Sequence, residues 1–261
     1  MRSSGAPPLT AFDRYAAWYD AFNRQKDYDA EARYVLRRAR QFVADPVRWL
    51  DVGCGTGRHL GVLQSLGLDV EGVDMSPGMI TRARAIFPRI PFHVATSQDF
   101  RLEGGRDVVS LLFHVMSYQV SDVAIHAALA RAAAHLGPTG VVMFDFWNSD
   151  AVLGDPPVRR VREAQIDGRS LVRIATPSED RSRRRVDVRY EFRWDSPDGP
   201  LEHEELHALR HFSGRELAAF LHDAGMTVLA CDGWAHDHPL ARDWYGFMCA
   251  GHKPGSRRSA L

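Results

Sequence analysis

Residues 49–60 read WLDVGCGTGRHL, an apolar run followed by three glycines within five positions. Such a turn lets backbone N–H groups approach a ligand closely, because glycine has no side chain to stand in the way. The apolar run predicts a buried strand, and residues 58–66 predict a helix that Gly67 closes. We therefore expect a ligand-binding turn between a strand and a helix.

Short apolar runs and helical segments alternate around this turn. Helices are predicted at 28–43, 58–66, from the Ser76 cap and Pro77 to Pro88, and from Ser121 to Leu136, closed by Gly137-Pro138. Strands are predicted at 48–53, 68–74, 91–95, 107–113 and 140–146. Strands joined through helices form right-handed crossovers and a parallel sheet. The predicted fold is a doubly wound, Rossmann-like α/β sandwich.

The pattern changes near residue 155. Residues 186–194, VDVRYEFRW, alternate apolar and charged side chains, as an antiparallel strand with one wet face does. Residues 201–212 read as its return strand, and a capping box of Ser213 and Glu216 begins a helix. Strands at 226–232 and 243–252 bring the main sheet to seven, with a β-rich insertion near its C-terminal part.

These patterns divide the chain into five parts. They are an N-terminal cover and helix (1–47), a ligand-binding α/β core (48–154), an insertion that covers the substrate (155–212), the completion of the core (213–253) and a disordered tail (254–261).

Composition excludes several classes of partner. The 261 residues carry 33 basic and 33 acidic side chains, and zero net charge disfavours nucleic acid or an anionic membrane held by bulk electrostatics. No apolar run approaches the roughly 20 residues that span a bilayer. Three isolated cysteines suit a reducing compartment and do not form a structural zinc motif. We expect a cytoplasmic protein with a small-molecule partner, and a homodimer is left open.

The glycine turn departs from both phosphate-binding patterns. Arg58 stands where a dinucleotide fingerprint needs a small residue, and no Gly-Lys-Ser/Thr ends the turn as in a P-loop. Asp74 lies at the end of the second strand, where a carboxylate can accept hydrogen bonds from ribose hydroxyls. A ligand with a ribose and no phosphate at this turn would explain both observations.

LDVGCGTG and GVDMS together resemble the first two motifs of class I S-adenosylmethionine-dependent methyltransferases. In that family the glycine turn faces the amino-acid part of the cofactor and the acid holds the ribose. The usual adenine-pairing carboxylate is replaced here by Thr96, leaving Asp99 either to substitute for it or to cap a helix. The resemblance implies a set of cofactor contacts: Tyr28, Gly53, Cys54, Gly55, Asp74, Met75, Thr96, Ser97, Gln98 and Phe113.

The resemblance extends to the subgroup that N-methylates amino sugars, either nucleotide-linked or in sugar-bearing antibiotics. It rests on RYAAWYDAFNRQKDY, LLFHVMSYQ, VMFDFW and HEELHALRHFS. Tyr118 aligns with the subgroup's catalytic histidine, and His114 is the alternative base because its unperturbed pKa is about 6.5. Tyr19 is expected to close over the sulfonium, and the expected substrate contacts are Trp147, Arg173 and His203. A small-molecule O-methyltransferase and an inactive cofactor-binding protein remain as alternatives.

Two motifs favour other functions at first sight. HEELH at 203–207 matches the zinc-protease pattern, but that pattern requires a helix and these residues are predicted as a strand, so we expect no metal.

GDPPV at 154–158 resembles a signature of nucleic-acid amino methyltransferases. It follows the fifth strand instead of the fourth, and Val158 replaces the aromatic residue that would stack on a flipped base.

Overall fold

The computed structural model describes residues 18–166, 168–196, 199–236 and 238–253. The predicted tail and the first 17 residues of the N-terminal cover lie outside the described residues. Residues 18–22 are helical. The longer helices are α1 (Tyr28–Ala39), α2 (Arg58–Ser65), α3 (Pro77–Ile86), α4 (Asp122–Ala134), α5 (Ser149–Gly154) and α6 (Gly214–Asp223).

Eleven strands are present in the described part of the chain. The first five are β1 (Arg48–Val52), β2 (Asp69–Asp74), β3 (Phe92–Val94), β4 (Arg106–Leu111) and β5 (Leu136–Asn148). The next four are β6 (Arg160–Ile166), β7 (Arg169–Asp180), β8 (Arg185–Ser196) and β9 (Gly199–Phe212). The last two are β10 (Met226–Gly233) and β11 (Tyr245–His252).

Seven of these strands form the main sheet, in the order β3-β2-β1-β4-β5-β11-β10. The first five are parallel, and β11 pairs antiparallel with both β5 and β10. The order reverses between β1 and β4, and ligands of open α/β sheets bind beside such a reversal, at the carboxyl ends of the strands. The predicted doubly wound α/β fold is confirmed.

Helices cover both faces of the main sheet. Trp49 and Leu50 are adjacent in β1 and enter different apolar clusters, because successive side chains of a strand point to opposite faces. The Trp49 cluster includes side chains of α1, α2 and α3, and the Leu50 cluster includes side chains of α4 and α6. The result is a three-layer sandwich with two buried apolar interfaces.

The antiparallel insertion continues the main sheet. Strands β6 to β9 form a meander, and the end of β9 pairs in parallel with the end of β5 through Trp147–His211 and Asn148–Phe212. This pairing begins beyond Phe144, the last β5 residue that pairs with β4. The insertion is thereby fixed above the carboxyl edge of the sheet.

Two predicted boundaries differ from the structure by more than two residues. The helix predicted at 28–43 ends at Ala39, because the N–H groups of Gln41 and Phe42 turn back to carbonyls three residues earlier. β5 begins at Leu136 instead of 140, so Gly137-Pro138 lies inside the strand and does not follow the helix as a separate turn. No helix among the residues that the structure describes is long and apolar enough to cross a membrane.

Candidate active site

A cavity of about 1490 Å³ lies at the carboxyl ends of the parallel strands. Its floor contains the glycine turn after β1, the end of β2 and the segment after β4. Residues between 19 and 31 form one wall, and side chains of β6 to β9 form the opposite wall. The cavity therefore joins the N-terminal segment, the sheet edge and the insertion.

The glycine turn is shaped by positions that only glycine fits. Gly53 has φ +78°, and a Cβ there would lie 2.3 Å from Cγ2 of Val115. Gly55 also has positive φ, and its N–H donates to Oδ2 of Asp74 at 2.9 Å. The backbone of this turn therefore approaches the cavity without intervening side chains, and Cys54 between the two glycines lines it.

Asp74 stands at the end of β2 and is 9% exposed. Its other oxygen, Oδ1, accepts the N–H of Ser76 at 2.9 Å. These two backbone contacts orient the carboxylate at the edge of the cavity. Met75 follows on the cavity wall, 46% exposed.

Thr96, Ser97 and Gln98 line the cavity beyond Asp74, as expected. Asp99 neither lines the cavity nor caps a helix, because residues 97–99 form a turn. Its Oδ1 accepts the backbone N–H of Thr96 at 2.9 Å and the Thr96 hydroxyl at 2.6 Å. The Thr96 hydroxyl thereby lowers the pKa of Asp99. Asp99 caps this turn and is not among the cavity-lining residues.

Asp20 fastens the N-terminal segment over the glycine turn. Its Oδ1 accepts the hydroxyl proton of Thr56 at 2.9 Å, and its Oδ2 lies 3.1 Å from Nη2 of Arg58. Tyr19 and Tyr28 lie on the same N-terminal segment, and both line the cavity. Burial raises the pKa of the Tyr28 phenol well above its usual value, so this side chain stays neutral.

Lys26 is a cavity residue that sequence reasoning missed. Its Nζ lies 3.6 Å from the centre of the Phe113 ring and 2.8 Å from Oε2 of Glu31. Burial would raise the pKa of Glu31, but His59 and Lys26 together lower it. The face of Phe113 thus already holds a cation, as aromatic faces do.

His114 is held by a carboxylate. Its Nδ1 lies 2.7 Å from Oδ2 of Asp145, and its backbone N–H donates to both oxygens of the same group. Burial would raise the pKa of Asp145, but the charge and hydrogen bonds of His114 lower it. The His114 ring stacks on Tyr245 with 4.7 Å between centroids. One ring nitrogen of His114 is therefore committed to the protein.

Tyr118 lines the cavity and begins a hydrogen-bonded chain. Its Oη lies 2.9 Å from Nδ1 of His207. Nε2 of His207 lies 3.0 Å from Oε2 of Glu205, and Nε2 of His203 lies 3.0 Å from Oε1 of the same carboxylate. His203, Glu205 and His207 share one face because HEELH lies in β9, where side chains alternate. The prediction that HEELH is a strand is confirmed.

Two of the three expected substrate residues line the cavity. They are Trp147 and Arg173, whose guanidinium lies 4.8 Å from the ring centre of Phe22 and 5.1 Å from that of Tyr190. His203 is not among the lining residues. Glu205 holds its imidazole, and the rings of Trp18 and Phe192 lie about 6.0 Å from it. The substrate contact expected of His203 stays a prediction, because its imidazole is held by Glu205 beside the cavity-lining His207.

A separate cluster lies in the loop between β10 and β11. Among the described residues, His236, His238 and Asp243 form a group whose ligand atoms lie within 4.8 Å of one another. None of the three lines the cavity. This cluster is independent of HEELH.

The structure brings together every other expected site residue. Tyr19, Tyr28, His114, Tyr118 and the remaining cofactor candidates all line the one cavity. The sequence carried signals for three residues that were missed. Two-residue alternation in HEELH places Glu205 and His207 beside His203, and Asp145 stands at the carboxyl end of the fifth strand.

Comparisons with known proteins agree with this geometry. A family profile described as a methyltransferase domain matches residues 24–230. A dTDP-3-amino-3,4,6-trideoxy-alpha-D-glucopyranose N,N-dimethyltransferase of Streptomyces venezuelae is 30% identical over 226 residues, 84% of this chain and 92% of that protein.

Two solved structures share the fold. The crystal structure of Streptomyces venezuelae DesVI has a TM-score of 0.76 and 26% identity, covering 94% of this chain and 99% of that one. The S-adenosylmethionine-bound structure of CalS10, an amino pentose methyltransferase from Micromonospora echinaspora, has a TM-score of 0.71 and 25% identity, covering 92% and 97% of the two chains.

Proposed function

The chain belongs to the methyltransferase domain family and uses S-adenosylmethionine, and on this premise we propose that it methylates the amine of a small amino-sugar substrate. The observation that carries the proposal is the single cavity, which joins the glycine turn and Asp74 to the Tyr118 and His114 side chains. The relative from Streptomyces venezuelae is named for an amino sugar carried on dTDP.

The residues of the cavity fit S-adenosylmethionine. Asp74 would accept the ribose hydroxyls, and the open backbone at Gly53 and Gly55 would face the amino-acid part. Phe113 already holds the ammonium of Lys26, so its face suits a positively charged group. When bound, the cofactor supplies a methyl group on a positive sulfur, which leaves as a neutral thioether.

The chain's remaining task is to align the accepting nitrogen, because orientation alone can contribute roughly 7–11 kcal/mol. We assign that task to Tyr118, which lines the cavity in the segment after β4. His114 is the second candidate, with one nitrogen already given to Asp145. Tyr19 and Tyr28 are proposed to close over the methyl-bearing sulfur.

Trp147 and Arg173 are proposed to contact the acceptor. Both line the cavity on the side of the insertion, opposite the glycine turn. We accordingly retain residues 1–47 and 155–212 as the two covers of an α/β core at 48–154 and 213–253. Nucleic acid is not proposed as a partner, because basic and acidic residues are equal in number. A homodimer stays a proposal.

Product analysis tests the function. The purified protein is incubated with S-adenosylmethionine and a panel of amino sugars, free, nucleotide-linked or within glycosides, beside analogues with a hydroxyl in place of the amine. We expect one or two added methyl groups on the amines alone by mass spectrometry. Methylation of the hydroxyl analogues would instead support an O-methyltransferase. Cofactor binding without product from any acceptor would contradict the proposal.

A Tyr118→Phe variant tests the residue assignment. The change keeps the ring and deletes the hydroxyl, so cofactor affinity should barely change. If the phenol orients or deprotonates the acceptor, kcat should fall about 10²-fold or more, within the range of a lost acid–base group. Activity within a few-fold of wild type would move the assignment to His114, with His114→Asn as the next variant.

A further inference from the structure

The face of HEELH that points into the protein contains the buried carboxylate of Glu205, which has no role in the methyl transfer proposed above. Glu205 is 5% exposed and His207 is 3% exposed. Burying a charged carboxylate is costly unless donors stabilise it. Both donors are present, since each Glu205 oxygen has an imidazole Nε2 at 3.0 Å. The Glu205 carboxylate thus lies between two imidazoles, one on each oxygen.

This arrangement sets the tautomer of His207. A neutral imidazole has one N–H and one acceptor nitrogen, and the partner of one nitrogen determines the other. Because Nε2 of His207 donates to Glu205, Nδ1 is the acceptor. The Tyr118 hydroxyl, 2.9 Å away, therefore donates to Nδ1. The Tyr118 oxygen can then accept an N–H from the cavity.

We propose that Glu205 is a positioning residue that, through His207, makes Tyr118 a proton acceptor for the substrate amine. The Tyr118–His207–Glu205 relay is the path from Oη of Tyr118 through the His207 ring to the Glu205 carboxylate. The inference rests on the proposed amine substrate. It explains how a tyrosine, a weak base by itself, can accept a proton from the substrate.

The proton balance closes along this path. An ammonium substrate gives one N–H proton to Oη of Tyr118 while the phenol proton moves to Nδ1 of His207. The imidazolium that forms is stabilised by the charge of Glu205. The nitrogen lone pair then forms the N–C bond, the C–S bond breaks, and its electron pair stays on sulfur. Before the reaction the two positive charges are on the substrate ammonium and the cofactor sulfonium. After it they are on the methylated ammonium and the His207 imidazolium.

The surroundings of the relay include further ionisable groups. The Tyr190 ring on β8 lies edge-on to His207, with 4.8 Å between centroids. Burial raises the pKa of Tyr190, while Arg173 on β7 and Arg162 on β6 oppose the rise. The charge of Glu205 on β9 acts on the same phenol in the direction opposite to that of the two arginines. The carboxylate of Glu205 offsets the positive charge of the two arginines and thereby favours the transient imidazolium of His207.

The test compares Glu205→Gln with Glu204→Gln. Glu204 is the residue before Glu205 in β9 and points to the opposite face. It pairs with Arg189, and its side chain is 59% exposed. Glutamine at 205 keeps the shape and removes the charge. At pH 7 we expect kcat of the Glu205→Gln enzyme to fall at least tenfold, and that of Glu204→Gln to stay within twofold of wild type. S-adenosylmethionine affinity and the thermal midpoint of unfolding should match wild type in both.

The pH profile separates a proton role from a packing role. At high pH the substrate amine binds already neutral and needs no proton acceptor. The kcat of the Glu205→Gln enzyme should therefore approach that of the wild type in alkaline solution. A loss that is the same at every pH, or no loss at all, overturns the relay. If the wild-type protein methylates no amino sugar, the proposed function fails instead.

A measurement without substrate decides the relay in either case. ¹⁵N NMR of the wild-type protein with bound S-adenosylmethionine should show His207 protonated at Nε2 and unprotonated at Nδ1. The Glu205→Gln protein should lose that preference, while the Glu204→Gln protein keeps it. A protonated Nδ1 in the wild type contradicts the relay, and this observation does not depend on the folding of any variant.

Discussion

Asp74 accepts a backbone N–H on each carboxylate oxygen, from Gly55 and from Ser76. The side chain therefore orders the glycine turn and the start of α3, beside its proposed contact with the ribose. The sequence placed it correctly because an acid at the end of the second strand is part of a local motif. Its two backbone contacts became visible only in the folded chain.

Asp74→Ala should weaken S-adenosylmethionine binding by about 1.5–3 kcal/mol, the usual contribution of a hydrogen bond to a charged group. Calorimetry measures the effect directly. Asp69→Ala is the matched control, because Asp69 lies exposed at the other end of β2. Equal affinities for the two variants would contradict the assignment of Asp74 to the ribose.

Asp51 makes the stability of the protein depend on pH. It is buried beneath the glycine turn, and burial raises the pKa of its carboxyl to about 6, although His59 and a hydrogen bond from Ser110 oppose the rise. The unfolded value is about 3.9. Between pH 4 and 6 the folded state therefore binds more protons than the unfolded state, and the free energy of unfolding decreases as pH rises.

Asp51→Asn should remove this dependence while keeping an oxygen for Ser110. Relative to wild type, the variant should become more stable as pH rises from 4 to 7, by about 2 kcal/mol at the upper end. Urea unfolding without cofactor at several pH values measures the difference. A difference that is constant with pH, as expected for the exposed Asp69→Asn, would show that Asp51 has an ordinary pKa.

At the scale of elements, the helical residues 18–22 are joined to the turn before α2 through Asp20. Asp20→Ala should weaken cofactor binding about five- to tenfold and speed cleavage by trypsin after the exposed Arg24, because the segment loses its attachment. The control is Asp29→Ala, which breaks only an exposed pair with Arg33 on α1. Unchanged affinity and proteolysis for Asp20→Ala would remove the proposed covering role.

In strand β9, His203 and His207 each contact the Glu205 carboxylate. Dialysis against a chelator should therefore leave methyl transfer intact, and added Zn²⁺ should not raise kcat. A His238→Ala variant identifies any metal that the separate loop cluster retains. Activity that disappears on dialysis and returns with Zn²⁺ would contradict this interpretation of the strand.

At the scale of the whole molecule, we propose that the cofactor occupies the part of the cavity on the sheet edge and the acceptor the part under the insertion. Hydrogen exchange can separate them. S-adenosylmethionine alone should protect residues 18–28 and 53–57, and protection of β7 to β9 should require the amino-sugar acceptor as well. Full protection of these strands by the cofactor alone would contradict the division.

The sequence alone determined the parts whose contacts are local. The glycine turn, the acid after β2 and the helix caps each depend on residues that are close in sequence, so their spacing was enough to predict the doubly wound fold. The cofactor contacts proposed from the same motifs line one cavity. The alternation in β8 and β9 likewise predicted the antiparallel insertion.

Only the tertiary structure decided which distant side chains meet. Tyr118 and His207 are 89 residues apart, and their contact exists because the end of β9 pairs with the end of β5. The same pairing gives His207 a place in the cavity lining and leaves His203 outside it. The two-residue period of a strand puts both histidines on one face and could not predict this difference. Lys26 and Phe113 meet for a similar reason, because Asp20 draws the N-terminal segment across the sheet edge. Spacing predicts which face a side chain occupies, but long-range pairing decides what lies opposite that face.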